Sequence, residues 1–238
     1  MKSVVVGVLV MAGLVIAAFA VQPEGGASSQ KGSKEAVKEV ASTGQPKGEK
    51  AQGDAQQEEK FVYFKMTTSK GDIFLELNNE LAPISTANFR AYADAGHYNG
   101  TIFHRVIENF MIQGGAFKPD MSKMPSFAPI ENEWTNGLSN VRGSIAMARL
   151  GGRANSATAQ FFINVTDNGF LDQPRDGAGY AVFGRVVKGM DVVDAIRKVT
   201  TGNKGGMGDV PIEPIVIEQV VELEPAQVEE LELVESED

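Results

Sequence analysis

The chain of 238 residues contains no cysteine. Disulfides, thiolate nucleophiles, cysteine-bound zinc and lipoprotein acylation are thereby excluded. Histidine is nearly as scarce: His97 and His104 are the only two, too few for a zinc site with no cysteine to complete it. Trp134 is the sole tryptophan and reads as packing within a loop. Positive charge is in deficit, with 22 Lys and Arg against 31 Asp and Glu and a net charge of −9. That balance argues against a nucleic-acid partner, which calls for clustered cations. Nucleotide signatures are missing too. Gly205-Gly206-Met207-Gly208 lacks both the G-x-G-x-x-G spacing and a following helix, and reads as a loop. No G-x-S-x-G elbow offers a serine nucleophile. Neither a metal nor a cofactor is expected.

Long apolar runs are absent except at one place, Val4 to Ala20. Met1-Lys2-Ser3 precedes that run and Ala18-Phe19-Ala20 closes it. One positive charge, an apolar segment and an A-x-A ending form the export-signal pattern, with cleavage expected after Ala20. An uncleaved membrane anchor is the alternative, because the run reaches the short edge of the spanning range of about 17–25 residues. Residues 21–60 then turn to Gln, Gly, Ser, Lys, Glu and Ala without aromatics until Phe61. Such a composition cannot offset its ordering entropy, and a disordered linker is expected. Residues 224–238 carry seven acidic side chains and no cation, so the rest of the chain keeps a charge of only −2. This tail reads as disordered and solubilising. The globular domain is therefore expected over 61–223.

Within that domain, 61–67 and 72–78 read as a hairpin turned at Ser69-Lys70-Gly71. Pro83 opens a helical pattern over 84–95 with Phe89, Tyr92 and Ala93 on its apolar face, and Gly96 stops it. Strands are expected over 98–106, 110–114, 160–165, 180–187 and 215–223, and a second helix over 190–198. Many strands with two helices point to a barrel or sandwich with helical caps. Asn99-Gly100-Thr101 and Asn164-Val165-Thr166 match the glycosylation pattern, but Asn164 falls in an expected core strand.

The most informative stretch runs from Phe103 to Gly115, Phe-His-Arg-Val-Ile-Glu-Asn-Phe-Met-Ile-Gln-Gly-Gly. Side chains alternate along a strand, so Arg105, Ile107, Met111 and Gln113 share one face if the turn at Glu108-Asn109 keeps the phase. Phe110 can lean over the same depression. A guanidinium above an apolar hollow suits an apolar ligand that carries an amide, such as proline in a peptide. Spacing alone leaves open a second reading, two ordinary strands of an all-β core with an exposed arginine. His104, beside the arginine, reads as a structural hydrogen-bonding group.

The run closely resembles the signature of the cyclophilins, the peptidyl-prolyl cis–trans isomerases. The resemblance continues through Gly143–Arg149, Ser156–Asn164, Phe170-Leu171-Asp172 and Tyr180–Gly184, and is closest to the bacterial single-domain type. It implies a mainly β fold, a closed eight-stranded antiparallel barrel capped by two helices. It also implies an isomerase of X-Pro bonds acting on proline-containing polypeptides, as a monomer, with no cofactor. By position, Arg105 matches the catalytic arginine and Gln113 the glutamine that orients arginine and peptide. Phe110, Met111, Phe162 and Leu171 match the proline-pocket walls, and Ala148 and Gln160 the groove. Three positions depart from the common eukaryotic pattern: Phe170 replaces a tryptophan, Tyr180 a histidine and Arg149 an asparagine. These departures bear on cyclosporin affinity. With the N-terminal pattern, the resemblance suggests clients among exported proteins in the periplasm or outside, or a domain tethered through residues 4–20 and facing the periplasm. A proline-motif binding module or chaperone with little turnover is the alternative, since the same pocket would serve it.

Overall fold

The computed structural model of the chain describes residues 59–228. The expected export signal or anchor over 1–20, nearly all of the linker over 21–60 and the tail beyond Val228 lie outside the described residues. Among the described residues no helix is long and apolar enough to cross a membrane.

Eleven strands and two helices make the domain: β1 (Phe61–Thr68), β2 (Gly71–Asn78), α1 (Pro83–Asp94), β3 (Thr101–Ile102), β4 (Arg105–Ile107), β5 (Met111–Gly114), β6 (Ser144–Met147), β7 (Phe161–Asn164), β8 (Val182–Lys188), α2 (Met190–Arg197), β9 (Thr201–Lys204), β10 (Met207–Pro211) and β11 (Val216–Glu222). Nine of them form one curled antiparallel sheet in the order β3-β11-β1-β2-β8-β6-β7-β5-β4, and β9 and β10 form a separate hairpin. The two edges of the large sheet, β3 and β4, are consecutive in the chain. Between them the Phe103 N–H donates to the Ile215 carbonyl at 3.0 Å, and the His104 N–H to the Gln113 carbonyl at 3.0 Å. The chain thus leaves the neighbourhood of β11 and joins β5 within two residues.

This break explains the departure from the expected eight strands. Residues 98–106, read as one strand, begin with a turn and then split into β3 and β4 on either side of Phe103-His104. Counted together, these two short pieces are the single strand that the sequence pattern suggested, bent where its partner changes. Ser144–Met147, not recognised as a strand from the sequence, is β6, fully buried along its length. The glycine-rich stretch read as a loop is only partly one: Gly205-Gly206 turns the hairpin, while Met207 and Gly208 begin β10.

Alternation along β1 and β2 sends Val62, Phe64, Met66, Ile73, Leu75 and Leu77 into the barrel interior. From α1, Phe89 enters this core and packs against Phe64, Tyr98, Phe161 and Phe183 at ring separations of 4.9–5.7 Å. The helix has no cap of its own at Ala82. Its first N–H groups, which have no intrahelical acceptor, are met instead by Glu133: the carboxylate accepts from Ile84 N–H at 2.9 Å and Ser85 N–H at 2.8 Å. An anion at a helix N-terminus is favourable. At the other end Gly96 takes φ +63, as its position after the helix suggested. Gly115 closes β5 at φ +88, and a Cβ there would lie 2.7 Å from the Ala159 carbonyl oxygen; only glycine fits. At the C-terminal end of the described residues, Glu224 caps a helical turn, its N–H donating to Gln227 Oε1 at 2.9 Å.

Candidate active site

The turn at residues 108–110 does keep the phase. Arg105 stands opposite Gln113 and Ile107 opposite Met111 across β4 and β5. Gln113 in turn pairs with Phe162 on β7, Phe162 with Ala146 on β6, and Ala146 with Val182 on β8. Directly paired residues share a face of the sheet, so these residues form one row across five strands. The row lies on the outer face, opposite the barrel core. There Met111, Ala146, Phe162, Leu171 and Val182 are buried in a second, smaller apolar cluster.

A cavity of about 200 Å³ opens above that cluster, lined by Arg105, Phe110, Met111, Gln113, Ala148, Arg149, Phe162, Leu171 and Tyr180. Met111, Phe162 and Leu171 are nearly inaccessible and form an apolar floor. Tyr180 meets Phe162 edge to face at 5.8 Å. The two remaining site residues from the sequence each contact the lining. Gln160 accepts a hydrogen bond from Gln113 Nε2 at 2.9 Å, and Phe170 stacks on Phe110 at 5.7 Å with 22° between the rings. All the residues singled out from the sequence therefore gather at one place. Among the described residues no group of three or more His, Cys, Asp or Glu is placed to hold a metal ion.

Beneath the cavity runs a buried polar network that spacing in the sequence did not reveal. Asn164 Nδ2 donates to Asn140 Oδ1 at 3.0 Å and to Ser144 Oγ at 2.9 Å, and Asn168 Nδ2 donates to Asn164 Oδ1 at 2.7 Å. Asn168 Nδ2 also reaches the Phe110 carbonyl at 2.8 Å, and Asn140 Nδ2 reaches Asp172 Oδ1 at 2.7 Å. Buried polar groups survive only when hydrogen-bonded. Here the same bonds tie Phe110 and the 3-10 turn Gly169–Asp172, which carries Phe170 and Leu171, to the sheet. Asn164 is wholly buried, so its glycosylation-like triplet marks a structural amide.

Three further side chains complete the surroundings. Arg105 Nε lies 3.6 Å from Oδ2 of Asp209 on β10, a partner that no sequence pattern indicated. His104 is buried, packs against Phe117 with ring centroids 4.7 Å apart and planes tilted by 58°, and touches Gln160. Burial pulls its imidazole down to about 4, with the Gln160 contact offsetting only part of that. It is a neutral structural group at neutral pH. Trp134 packs in a loop as expected: a Cβ on Gly179 would come within 2.7 Å of its ring.

Comparison with known proteins agrees with this geometry. Residues 63–222 match the family described as cyclophilin type peptidyl-prolyl cis-trans isomerase/CLD. The chain belongs to this family. It is 57% identical over 156 residues to the peptidyl-prolyl cis-trans isomerase cyp18 of Streptomyces antibioticus, covering 64% of this chain and 93% of that protein. It is 52% identical over 156 residues to peptidyl-prolyl cis-trans isomerase B of Escherichia coli, covering 64% and 94%. Among solved structures, a Cryptosporidium parvum cyclophilin type peptidyl-prolyl cis-trans isomerase superposes with a TM-score of 0.58 at 26% identity, over 69% of this chain and 98% of that one. The same protein in the presence of the dipeptide Ala-Pro gives 0.57 at 25% identity, over 68% and 99%.

Two of the three departures from the common eukaryotic pattern touch each other. The Arg149 side chain is 1% exposed, and its guanidinium lies 4.6 Å above the Tyr180 ring, within cation–π range. It donates to the Gly179 carbonyl at 3.0 Å, to the Ala178 carbonyl and to Asp176 Oδ1 at 2.8 Å. Arg149 and Tyr180 are thus one packed unit in the cavity wall of this cyclophilin. Phe170 is the independent departure, 46% exposed at the rim.

Two predictions follow from these environments. Unfolded His104 titrates near its ordinary 6.5 and folded His104 near 4. Between those values the unfolded state binds the extra proton, so stability falls as pH drops through the window and is unaffected by His104 above it. Its share of the loss is about 3 kcal/mol. Urea unfolding of wild type and His104→Asn between pH 7 and 4 should show a shallower pH slope in the variant; equal slopes would refute the assignment. At the rim, indole would add area and an N–H donor that Phe170 lacks. Phe170→Trp should bind cyclosporin about tenfold more tightly, the factor that about 1.4 kcal/mol supplies, with isomerase activity little changed. Equal affinities by calorimetric titration would remove position 170 from inhibitor control.

Proposed function

We propose that the cavity holds the proline ring of an X-Pro segment and that Arg105 promotes rotation about the bond preceding it. The observation that supports this most is the row Arg105, Gln113 and Phe162, three directly paired residues that set a guanidinium beside an apolar floor. Rotation about a prolyl amide breaks no bond and needs no nucleophile or proton shuttle. The obstacle is amide resonance, worth a barrier of ~18–20 kcal/mol. As the amide twists, the proline nitrogen regains a lone pair. A guanidinium N–H aimed at that nitrogen gains more in the twisted state than in the planar one, and such a difference is what lowers a barrier.

The other residues divide the remaining work. Met111, Phe162 and Leu171 exclude water from the ring, while Phe110 and Tyr180 bound it at the sides. Gln113 has committed its amide nitrogen to Gln160, and its carbonyl oxygen can accept a substrate N–H. Gln160 and Ala148 border the path of the flanking peptide. One charge-assisted hydrogen bond contributes about 1.5–3 kcal/mol, or roughly ten- to a hundred-fold in rate. Orientation in a dry site supplies the rest.

The clients are exported proteins. The support is sequence alone: Met1-Lys2-Ser3, the apolar run and the Ala18-Phe19-Ala20 ending. Mass spectrometry of the protein from its native host should find Val21 as the first residue in a periplasmic or secreted fraction. An intact Met1 in a soluble cytoplasmic fraction would sink the assignment, and an intact Met1 in the membrane fraction would replace cleavage by tethering.

Arg105→Ala should lower kcat/KM on a short X-Pro peptide by ten- to a hundred-fold through kcat, with peptide affinity nearly preserved. Exchange spectroscopy on the cis and trans peptide measures both. A folded variant with wild-type turnover would eliminate the arginine mechanism.

A further inference from the structure

Arg105 is held from a direction that the row across the sheet does not supply. Among the described residues its side-chain partner is Asp209, while Gln113 gives its amide to Gln160. Asp209 belongs to β10, the strand of the separate hairpin that packs against β4.

Bringing a carboxylate to that point takes two local distortions. First, β10 pairs Met207 with Lys204 and Val210 with Gly202, so Gly208 and Asp209 together stand opposite Asn203. Two residues against one is a β-bulge, a feature that re-aims a side chain and recurs beside active sites. Second, Asp209 adopts φ 59, a left-handed conformation that costs energy for any residue with a Cβ and that Asp and Asn tolerate best. Such strain persists where the surroundings hold it, and it concentrates at functional positions. A solubilising aspartate on a hairpin would need neither distortion.

We propose that Asp209 is a positioning residue for the isomerase reaction: its carboxylate takes the Nε edge of Arg105 and leaves the terminal guanidinium nitrogens for the substrate. At 3.6 Å the carboxylate attracts the Nε edge without a direct hydrogen bond, so it biases the planar fork toward one orientation through charge. Both side chains are partly exposed, at 37% and 47%, so the pair contributes through orientation more than through stability. The inference rests on the reading of Arg105 as the catalytic group.

The test uses the full chain with Asp209→Gly, which keeps the left-handed backbone and removes the carboxylate, and Asp209→Asn, which keeps an acceptor without charge. On an X-Pro peptide, Asp209→Gly should lower kcat about two- to five-fold with KM unchanged and the unfolding midpoint not lowered, and Asp209→Asn should fall between it and wild type in kcat. In an Arg105→Ala background, Asp209→Gly should cost nothing further. Wild-type or faster turnover in Asp209→Gly, with Arg105→Ala still slow, would overturn the proposal and leave the proposed function standing. An equal fold-loss in both backgrounds would overturn it in favour of a structural role. Wild-type turnover in Arg105→Ala would remove the catalytic reading itself and this inference with it.

Discussion

Where β5, β7 and β6 lie side by side, the sheet is buried on both faces. Ile112, Phe161, Ile163, Ile145 and Met147 face the barrel core, while Met111, Phe162 and Ala146 face the smaller outer cluster. Each residue has one face available, so every position on these strands is committed to one cluster or the other. A slip of one residue would move Gln113 and Phe162 into the core and Ile112 and Ile163 into the cavity. The register that fills the barrel is therefore the register that builds the site, and folding and substrate recognition share one constraint.

Two-sided burial creates a polar problem at the end of the same strands, where Ser144 and Asn164 face outward under loops. Their solution is a network of amides, hydroxyl and carboxylate through Asn140, Asn168 and Asp172. Closing it fixes loop backbone as well as side chains, because Asn168 holds the Phe110 carbonyl and Asn140 the Tyr180 carbonyl. Cavity walls carried on loops thereby acquire the rigidity of the sheet. Side chains held this way keep a fixed orientation toward the cavity.

The parts of this molecule legible in its sequence are those governed by local periodicity. Alternation placed Arg105, Ile107, Met111 and Gln113 on one face, and Pro83 and Gly96 marked the limits of α1. Contacts between residues far apart in the chain were not legible. Glu133 caps α1 by accepting from Ser85, 48 positions earlier, and Arg149 meets Gly179 across 30 positions; neither pair shares a motif. Short elements escaped for another reason. Ser144–Met147 is buried at every position, so it shows no alternation, and the bulge in β10 breaks the period that would have exposed Asp209. Family resemblance filled part of this gap by naming the cavity residues, but it treated Arg149 and Tyr180 as separate departures where the structure joins them.

Sheet edges present unpaired N–H and C=O groups and are normally protected. Here the two edges, β3 and β4, are the halves of one bent segment, and Phe103 and His104 between them bond to opposite sides. Arg105 is the first residue after the bend. A side chain at that point stands beside a gap in the ladder, with more open space around it than the interior of a continuous sheet would leave. β10 of the separate hairpin packs against β4. That packing brings Asp209 to within 3.6 Å of Arg105, so the strand that carries the guanidinium and the carboxylate beside it are placed by one tertiary contact, between elements about a hundred positions apart in the chain.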